Sequence, residues 1–124
     1  MKRPAILLVD DDQNILHLFQ IFLREQGYTV ETASTREEAL SMVKAAKFDL
    51  VVLDLILGEI RGDWLALELD EIDEDLRFLF LTGFSSPDIN LEAPPIDICD
   101  VLMKPISLED LGASVLEALP RERE

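Results

Sequence analysis

Residues 5–12 read Ala-Ile-Leu-Leu-Val-Asp-Asp-Asp, a continuous apolar run that ends in three acids. Five apolar residues without interruption are typical of a strand buried on both faces, as in a parallel sheet. Three later apolar runs also end in a polar side chain: 50–53 before Asp54, 78–81 before Thr82, and 101–103 before Lys104. The carboxyl ends of parallel strands meet at one edge of a sheet, so these polar groups are expected to lie together.

Apolar strands alternate with helical patterns along the whole chain. Strands are expected over 5–9, 28–33, 49–53, 77–81 and 100–103. Helices are expected over 13–26, from the capping-box sequence 34–37 onward, over about 63–73, and from Ser107 to about residue 119. Gly58 and Gly62 mark a loop, and the prolines at 87, 94 and 95 leave room for only a short helix near 87–93. This alternation predicts an α/β fold with a parallel sheet covered on both faces.

The length of 124 residues predicts one domain over 1–124, with a core at about 5–119 and a charged tail at 120–124. The hydrophobic fraction of 48% suffices for a core, and no apolar run approaches the ~20 residues of a membrane span. The lone cysteine, Cys99, excludes an internal disulfide, fits a cytoplasmic location and is interpreted as a small core residue. The net charge of −15 argues against direct nucleic-acid binding.

The polar groups at the strand ends suit a divalent metal and a phosphoryl group. If the first and third strands are neighbours, about 4.8 Å apart, Asp11 and Asp54 are able to share one cation. Mg²⁺ accepts a few carboxylates together with water and a phosphate oxygen. Lys104 and the hydroxyl of Thr82 are suited to the remaining phosphoryl oxygens, and a carboxylate nucleophile forms an acyl phosphate. No other Lys or Arg lies between Arg77 and Arg121, which favours a functional role for Lys104.

Four short motifs in this order resemble the response-regulator receiver domain of two-component signalling, of the chemotaxis-receiver type. They are the runs 7–12 (Leu-Leu-Val-Asp-Asp-Asp), 51–55 (Val-Val-Leu-Asp-Leu), 81–83 (Leu-Thr-Gly) and 103–105 (Met-Lys-Pro). The resemblance implies a flavodoxin-like doubly wound sheet of order 2-1-3-4-5. It also implies a phosphorylation-dependent switch rather than a turnover enzyme, which assists its own phosphorylation and slow dephosphorylation.

The resemblance further assigns roles to single residues. Asp54 would accept a phosphoryl group from a phospho-histidine of a sensor kinase or phosphotransfer protein. Mg²⁺ (or Mn²⁺) would be held by Asp11 directly, by Asp10 mainly through water, by Asp54 and by the backbone carbonyl of Ile56. The remaining expectations are phosphoryl binding by Thr82, Gly83 and Lys104, and a cis bond before Pro105. Output would pass to an unidentified downstream protein by protein–protein contact.

Several positions depart from the family pattern. Val101 replaces the usual aromatic residue that swings inward on activation, and Gly58 replaces a usual proline. The two positions that tune dephosphorylation are Ile56 and Phe84, whose apolar side chains cannot orient a water, so dephosphorylation is expected to be slow. Residues 83–119 carry seven acids and only Lys104 as a base. We therefore expect a monomer or weak dimer, not a salt-bridged dimer through the fourth helix, fifth strand and last helix.

Other interpretations compete with the switch. A pseudo-receiver that is not phosphorylated and acts as an interaction module is the main alternative, favoured by Val101 and the proline-broken stretch. A phosphohydrolase with an aspartyl phosphate is opposed by Ile56, which stands where such enzymes carry a second acid. Asp12 is interpreted as a helix N-cap, and His17 as a helix residue remote from the site.

Overall fold

The computed structural model describes residues 3–83 and 96–119. The large sheet contains β1 (Ala5–Val9), β2 (Thr29–Ala33), β3 (Leu50–Asp54), β6 (Arg77–Thr82) and β7 (Asp97–Met103), and a two-stranded sheet contains β4 (Ile56–Leu57) and β5 (Ile60–Arg61). The helices are α1 (Gln13–Glu25), α2 (Arg36–Ala45), α3 (Gly62–Ile72) and α4 (Leu108–Ala118). The large sheet is parallel with the order β2-β1-β3-β6-β7. Counting only these five strands, the order is the expected 2-1-3-4-5, so the predicted fold class is confirmed.

The central strands are buried on both faces, as their apolar runs predict. Leu7 and Val9 of β1 pack with α2 and α3 on one side of the sheet. Ile6 and Leu8 pack with α1 and α4 on the other side. All four side chains are at most 1% exposed. Burial of each such side chain stabilises the fold by about 1.5–3 kcal/mol, so the sheet is a rigid base for the polar residues at its edge.

Three of the four described helices begin at a side chain that caps the first turn. Asp12 accepts from the backbone N–H groups of Asn14 and Ile15, as predicted for an N-cap. Ser107 caps α4 through the N–H of Asp110. The predicted capping box at α2 is displaced by one residue, because Thr35 is the N-cap and Glu38, not Glu37, reaches back to the N–H of Ser34.

The predicted loop after β3 is a short antiparallel hairpin. Leu57 pairs with Ile60, and Gly58 and Glu59 form the turn between them. Gly58 has a φ of 63°, the backbone conformation that a type II′ turn requires at its first central position. The sequence signal, Gly-Glu between two apolar pairs, is too short to distinguish a hairpin from an irregular loop.

The interpretation of Cys99 as a core residue is wrong, because Cys99 is exposed. β7 begins at Asp97, three residues earlier than predicted, and its register against β6 shifts between Phe78 and Leu79. Ile98 pairs with Phe78 and Asp100 with Leu79, so Cys99 is the extra residue of a β-bulge. The extra residue of a bulge changes which side chains of the strand face the core and which face solvent, and the apolar pattern of the sequence does not reveal this change.

Some predictions fall outside the described part of the chain. These are the short helix near 87–93, the position of Phe84 and the charged tail at 120–124. Among the described residues, no helix combines the length and the apolarity that crossing a membrane requires.

Candidate functional site

Three acids meet at the carboxyl edge of the central strands. β1 and β3 pair with Val9 opposite Leu53, so Asp10 and Asp54 leave the sheet at the same height. One oxygen from each of Asp10, Asp11 and Asp54 lies within 4.8 Å of the other two. Asp10 is 3% and Asp54 6% exposed, whereas Asp11 is open to solvent. The structure thus brings together the carboxylates that the sequence predicts as a group.

Lys104 spans two of these acids. Its Nζ donates to Asp54 Oδ2 at 2.9 Å and to Asp10 Oδ2 at 2.8 Å. The backbone N–H of Lys104 donates to the carbonyl of Thr82 at 2.7 Å, which extends the β6–β7 ladder by one step and carries the side chain to the edge. The pairing with Asp54 matches the prediction, whereas the contact with Asp10 was not anticipated.

Burial and pairing act in opposite directions on these charges. Burial raises the pKa of Asp10 and outweighs the hydrogen bond from Lys104, which lowers it. Burial also lowers the pKa of Lys104, but the hydrogen bonds to Asp10 and Asp54 outweigh burial and leave that pKa raised. The surroundings thus favour the charged form of Lys104, whereas burial disfavours the ionised form of Asp10.

The other residues predicted for phosphoryl binding border the same edge. Thr82 ends β6, is 6% exposed and pairs with Met103 of β7. Gly83 follows it, is exposed, and has open space where a Cβ would lie. The Lys104–Pro105 peptide bond is cis. Val101, at the position of the usual aromatic switch, is half-buried and packs against the core on the α2–α3 side.

The β4–β5 hairpin forms a further wall of the site. The N–H of Ile56 donates to Asp54 Oδ1 at 3.1 Å, and the N–H of Gly58 donates to Asp11 Oδ2 at 3.1 Å. The side chain of Ile56 is 43% exposed. Phe84, the second position expected to tune dephosphorylation, lies outside the described residues.

Sequence reasoning missed the role of Gly62 at this wall. A Cβ at Gly62 would lie 2.2 Å from the backbone oxygen of Asp54, closer than real Cβ contacts occur. Its N–H also donates to the carbonyl of Leu55 at 2.7 Å. Only glycine fits this close approach, so the glycine that marked a loop in the sequence packs against the backbone at the end of β3.

The donor set fits a hard divalent cation. Asp10, Asp11 and Asp54 supply carboxylate oxygens, which Mg²⁺ and Mn²⁺ prefer. The formal charge of the three carboxylates and the ammonium of Lys104 is −2, and a divalent cation would neutralise it. Two other acid or imidazole candidates do not belong to the group: Asp12 caps α1, and His17 is exposed on α1.

Comparisons with known proteins agree with this geometry. The sequence model of the response regulator receiver domain matches residues 6–116. The transcriptional regulatory protein ZraR of Salmonella typhimurium is 34% identical over 119 residues, which are 96% of this chain and 27% of ZraR. The chain thus spans about a quarter of the length of this relative.

Solved structures of receiver domains superpose closely on the chain. A CheY-like receiver domain protein from Methanospirillum hungatei has a TM-score of 0.85 at 28% identity, covering 94% of this chain and 93% of that one. The response regulator TrrA from Thermotoga maritima, in complex with Mg²⁺-BeF, has a TM-score of 0.80 at 32% identity, covering 94% of this chain and 99% of that one.

Proposed function

Because the chain belongs to the response regulator receiver domain family, we propose that it is a phosphorylation-dependent signalling switch with Asp54 as its phospho-acceptor. The donor is a phospho-histidine of a sensor kinase or of a histidine phosphotransfer protein. The observation that carries the proposal is the shared ammonium: Lys104 lies within hydrogen-bond distance of Asp54 and Asp10, beside a third acid. The ammonium of Lys104 beside Asp54 would be in position to pair with the oxygens of a phosphoryl group on that residue.

In the proposed transfer, a carboxylate oxygen of Asp54 forms a bond to phosphorus as the bond between phosphorus and the donor imidazole nitrogen breaks. The imidazole leaves with the electron pair and takes a proton from solvent. Lys104 exchanges its hydrogen bond with the Asp54 carboxylate for one with a phosphoryl oxygen, and the Thr82 hydroxyl donates to another. Gly83 would place no side chain beside the phosphoryl group, and no described residue apart from its chain neighbours lies within 4 Å of the position that its Cβ would occupy.

Mg²⁺, or Mn²⁺, would be held by Asp10, Asp11, Asp54 and the backbone carbonyl of Ile56. Its contribution is to neutralise charge on the acids and on the phosphoryl oxygens. The three acids would be in place to bind the metal before the phosphodonor arrives, because β1 and β3 of the buried sheet fix their backbone positions.

We further propose that the phosphorylated form is long-lived. The side chain of Ile56 is partly exposed beside Asp54 and offers no hydrogen bond to an attacking water. The chain would thus assist its own phosphorylation but dephosphorylate slowly, so that the signal persists or depends on a phosphatase.

We propose one receiver domain over residues 1–124 that works in the cytoplasm and signals to a downstream protein by direct contact. Homodimers through β7 and α4 are disfavoured, because the described part of this face carries Asp97, Asp100, Glu109, Asp110 and Glu117, all exposed. The chain would then remain a monomer or weak dimer. A scattering measurement that shows a phosphorylation-dependent dimer through this face would contradict the proposal.

A second candidate function is an interaction module that is never phosphorylated. Val101 favours it, because this side chain already packs against the core and is too short to signal by moving from outside to inside. The complete set of acids, threonine and lysine at the strand ends favours the switch instead.

Incubation with acetyl phosphate and Mg²⁺, followed by intact mass, separates the two functions. The wild type is expected to gain one phosphoryl group, and Asp54→Ala none. Asp12→Ala serves as a matched control, because Asp12 is an acid of the same run that caps α1, and it should gain the group like the wild type. Absence of a gain in the wild type, with acetyl phosphate and with a cognate kinase, would favour the interaction module.

A further inference from the structure

The hairpin register determines where the backbone of Ile56 faces. Gly62 N–H donates to the carbonyl of Leu55, and the turn closes between Leu57 and Ile60. Ile56 and Arg61 are therefore the intervening pair without mutual hydrogen bonds, and the polar backbone groups of Ile56 point away from β5. The N–H accordingly donates to Asp54 Oδ1. The carbonyl of a strand residue lies on the same side as its N–H, so the carbonyl of Ile56 faces the acidic edge.

Arg61 is the residue opposite Ile56 in the hairpin, and its guanidinium group contacts both Asp63 and the ring of Trp64. Its Nε and Nη2 donate to the two carboxylate oxygens of Asp63 at 3.1 and 2.8 Å. Its guanidinium carbon lies 5.4 Å from the ring centroid of Trp64. Asp63 is 7% exposed, so the fork ends on a buried acid, where a bidentate pair is more rigid than one in open solvent.

The pair of Arg61 and Asp63 lies at the start of α3, where no side chain of the described residues caps the helix. In the described part of the chain, α3 is the helix that starts without a hydrogen bond from a side-chain N-cap. Asp63 instead accepts from the N–H of Trp64 at 3.1 Å and pairs with Arg61. Gly62 packs on the backbone of Asp54 with no room for a Cβ. The start of α3, the strand β5 and the acceptor strand are thus fixed relative to one another.

We propose that Arg61 is a positioning residue for the divalent cation. Its fork to Asp63 and its cation–π contact with Trp64 hold β5, and because β5 pairs with β4 they hold the carbonyl of Ile56 facing the acidic edge. The inference rests on the proposed function. Mg²⁺ and similar hard cations demand narrow ligand geometry, so a hairpin released from Asp63 should bind the cation more weakly without altering the acceptor itself.

The test measures binding of Mn²⁺ alone, by electron paramagnetic resonance of the free ion, with no phosphodonor present. Arg61→Ala should weaken Mn²⁺ binding by about tenfold, the size of effect typical of groups that orient a metal ligand. Arg61→Lys should restore only part of the affinity, because an ammonium does not form the planar fork. Arg36→Ala is the matched control: Arg36 forms a similar fork with Glu68, outside the site, and its loss should leave Mn²⁺ binding unchanged.

A kinetic measurement distinguishes positioning from general destabilisation. With acetyl phosphate, Arg61→Ala should raise the Mg²⁺ concentration for half-maximal phosphorylation by the same factor, while the rate at saturating Mg²⁺ stays within about twofold of wild type. A lowered rate at saturating Mg²⁺ with unchanged half-saturation would overturn the inference. If Arg61→Ala does not fold by circular dichroism, Asp63→Asn, which keeps the shape but removes the charge, must show the same weakening.

The outcomes for the two proposals differ. A wild type that binds no Mn²⁺ and accepts no phosphoryl group overturns the proposed function and this inference together. A wild type that binds Mn²⁺, with Arg61→Ala and Asp63→Asn binding it equally well, overturns this inference alone and leaves the switch in place.

Discussion

The Nζ of Lys104 donates a hydrogen bond to Asp10 Oδ2 at 2.8 Å, and the two residues are 94 positions apart in the chain. The sequence predicts Asp54, not Asp10, as the hydrogen-bond partner of Lys104. The same ammonium donates to Asp54 at 2.9 Å. In the described part of the chain, Lys104 is thus the cation that compensates these two buried carboxylates. In the proposed switch, this one ammonium would serve both the stability of the fold and the binding of phosphoryl oxygens.

Removal of this ammonium should destabilise the metal-free protein. Lys104→Met keeps the length of the side chain but leaves Asp10 and Asp54 without their cation, and breaking a buried pair of this kind costs about 3 kcal/mol. Urea unfolding without metal measures the loss. Saturating Mg²⁺ should recover most of it, because the metal supplies the missing positive charge. Equal losses with and without Mg²⁺ would show that Lys104 contributes packing rather than charge.

The raised pKa of Asp10 gives a pH dependence with a defined sign. Burial, its largest cause, makes the folded state bind the Asp10 proton more tightly than the unfolded chain, whose pKa is about 3.9. The protonated Asp10 therefore contributes stability that is fully present below about pH 3.9 and is lost as pH rises through the pKa of Asp10 in the folded state. Asn is neutral at every pH, so the stability of Asp10→Asn relative to wild type should increase from pH 4 to about 7 in metal-free buffer.

Urea unfolding at several pH values provides this comparison. Saturating Mg²⁺ should remove the advantage of Asp10→Asn at pH 7, because the metal binds the ionised wild-type group. A stability difference that does not change between pH 4 and 7 would refute the pH prediction.

The two neighbouring acids Asp11 and Asp12 should differ in effect. Asp12→Ala removes the N-cap of α1 and should lower the free energy of unfolding by about 1 kcal/mol, with Mn²⁺ binding unchanged. Asp11→Ala should weaken Mn²⁺ binding strongly and leave metal-free stability nearly unchanged or higher, because an acid of a repulsive cluster is lost. Thermal unfolding and Mn²⁺ titration of both variants test this division, and an exchange of the two phenotypes would reverse the assignment.

Gly62→Ala should be among the most destabilising alanine substitutions near the site. Its Cβ would overlap the backbone oxygen of Asp54 at 2.2 Å, and backbone cannot move aside as a flexible side chain does. Overpacking of this kind costs about 3 kcal/mol. Gly83→Ala is the matched control, because its Cβ meets open space, and it should change metal-free stability by less than about 0.5 kcal/mol. Urea unfolding measures the stability of both variants, and equal losses for Gly62→Ala and Gly83→Ala would contradict this prediction.

Ile56 should limit the rate of dephosphorylation. Ile56→Asn places an amide beside Asp54, and a hydrogen bond of about 1–1.5 kcal/mol to the attacking water would speed loss of the phosphoryl group about tenfold. Ile56→Val, which stays apolar, should leave the lifetime within about twofold of wild type. The decay is followed by intact mass in Mg²⁺ buffer. A wild-type half-life of seconds would contradict the expected slow dephosphorylation.

Local pattern determined the order of elements in this protein. The run 5–12 specified a buried strand ending in acids because burial on both faces requires an uninterrupted apolar sequence. Parallel pairing then places Asp10, Asp11, Asp54, Thr82 and Lys104 at one edge, since every such strand ends in the same direction. The fold and the membership of this cluster were therefore predictable from sequence.

Tertiary structure alone decided the contacts made across that edge. The sharing of Lys104 between Asp10 and Asp54 depends on the height at which β7 ends beside β6. The close approach of Gly62 to Asp54 depends on the hairpin register, and the exposure of Cys99 depends on a bulge in an edge strand. Each is set by strand register, a long-range property that shifts with one residue and leaves no mark on local periodicity.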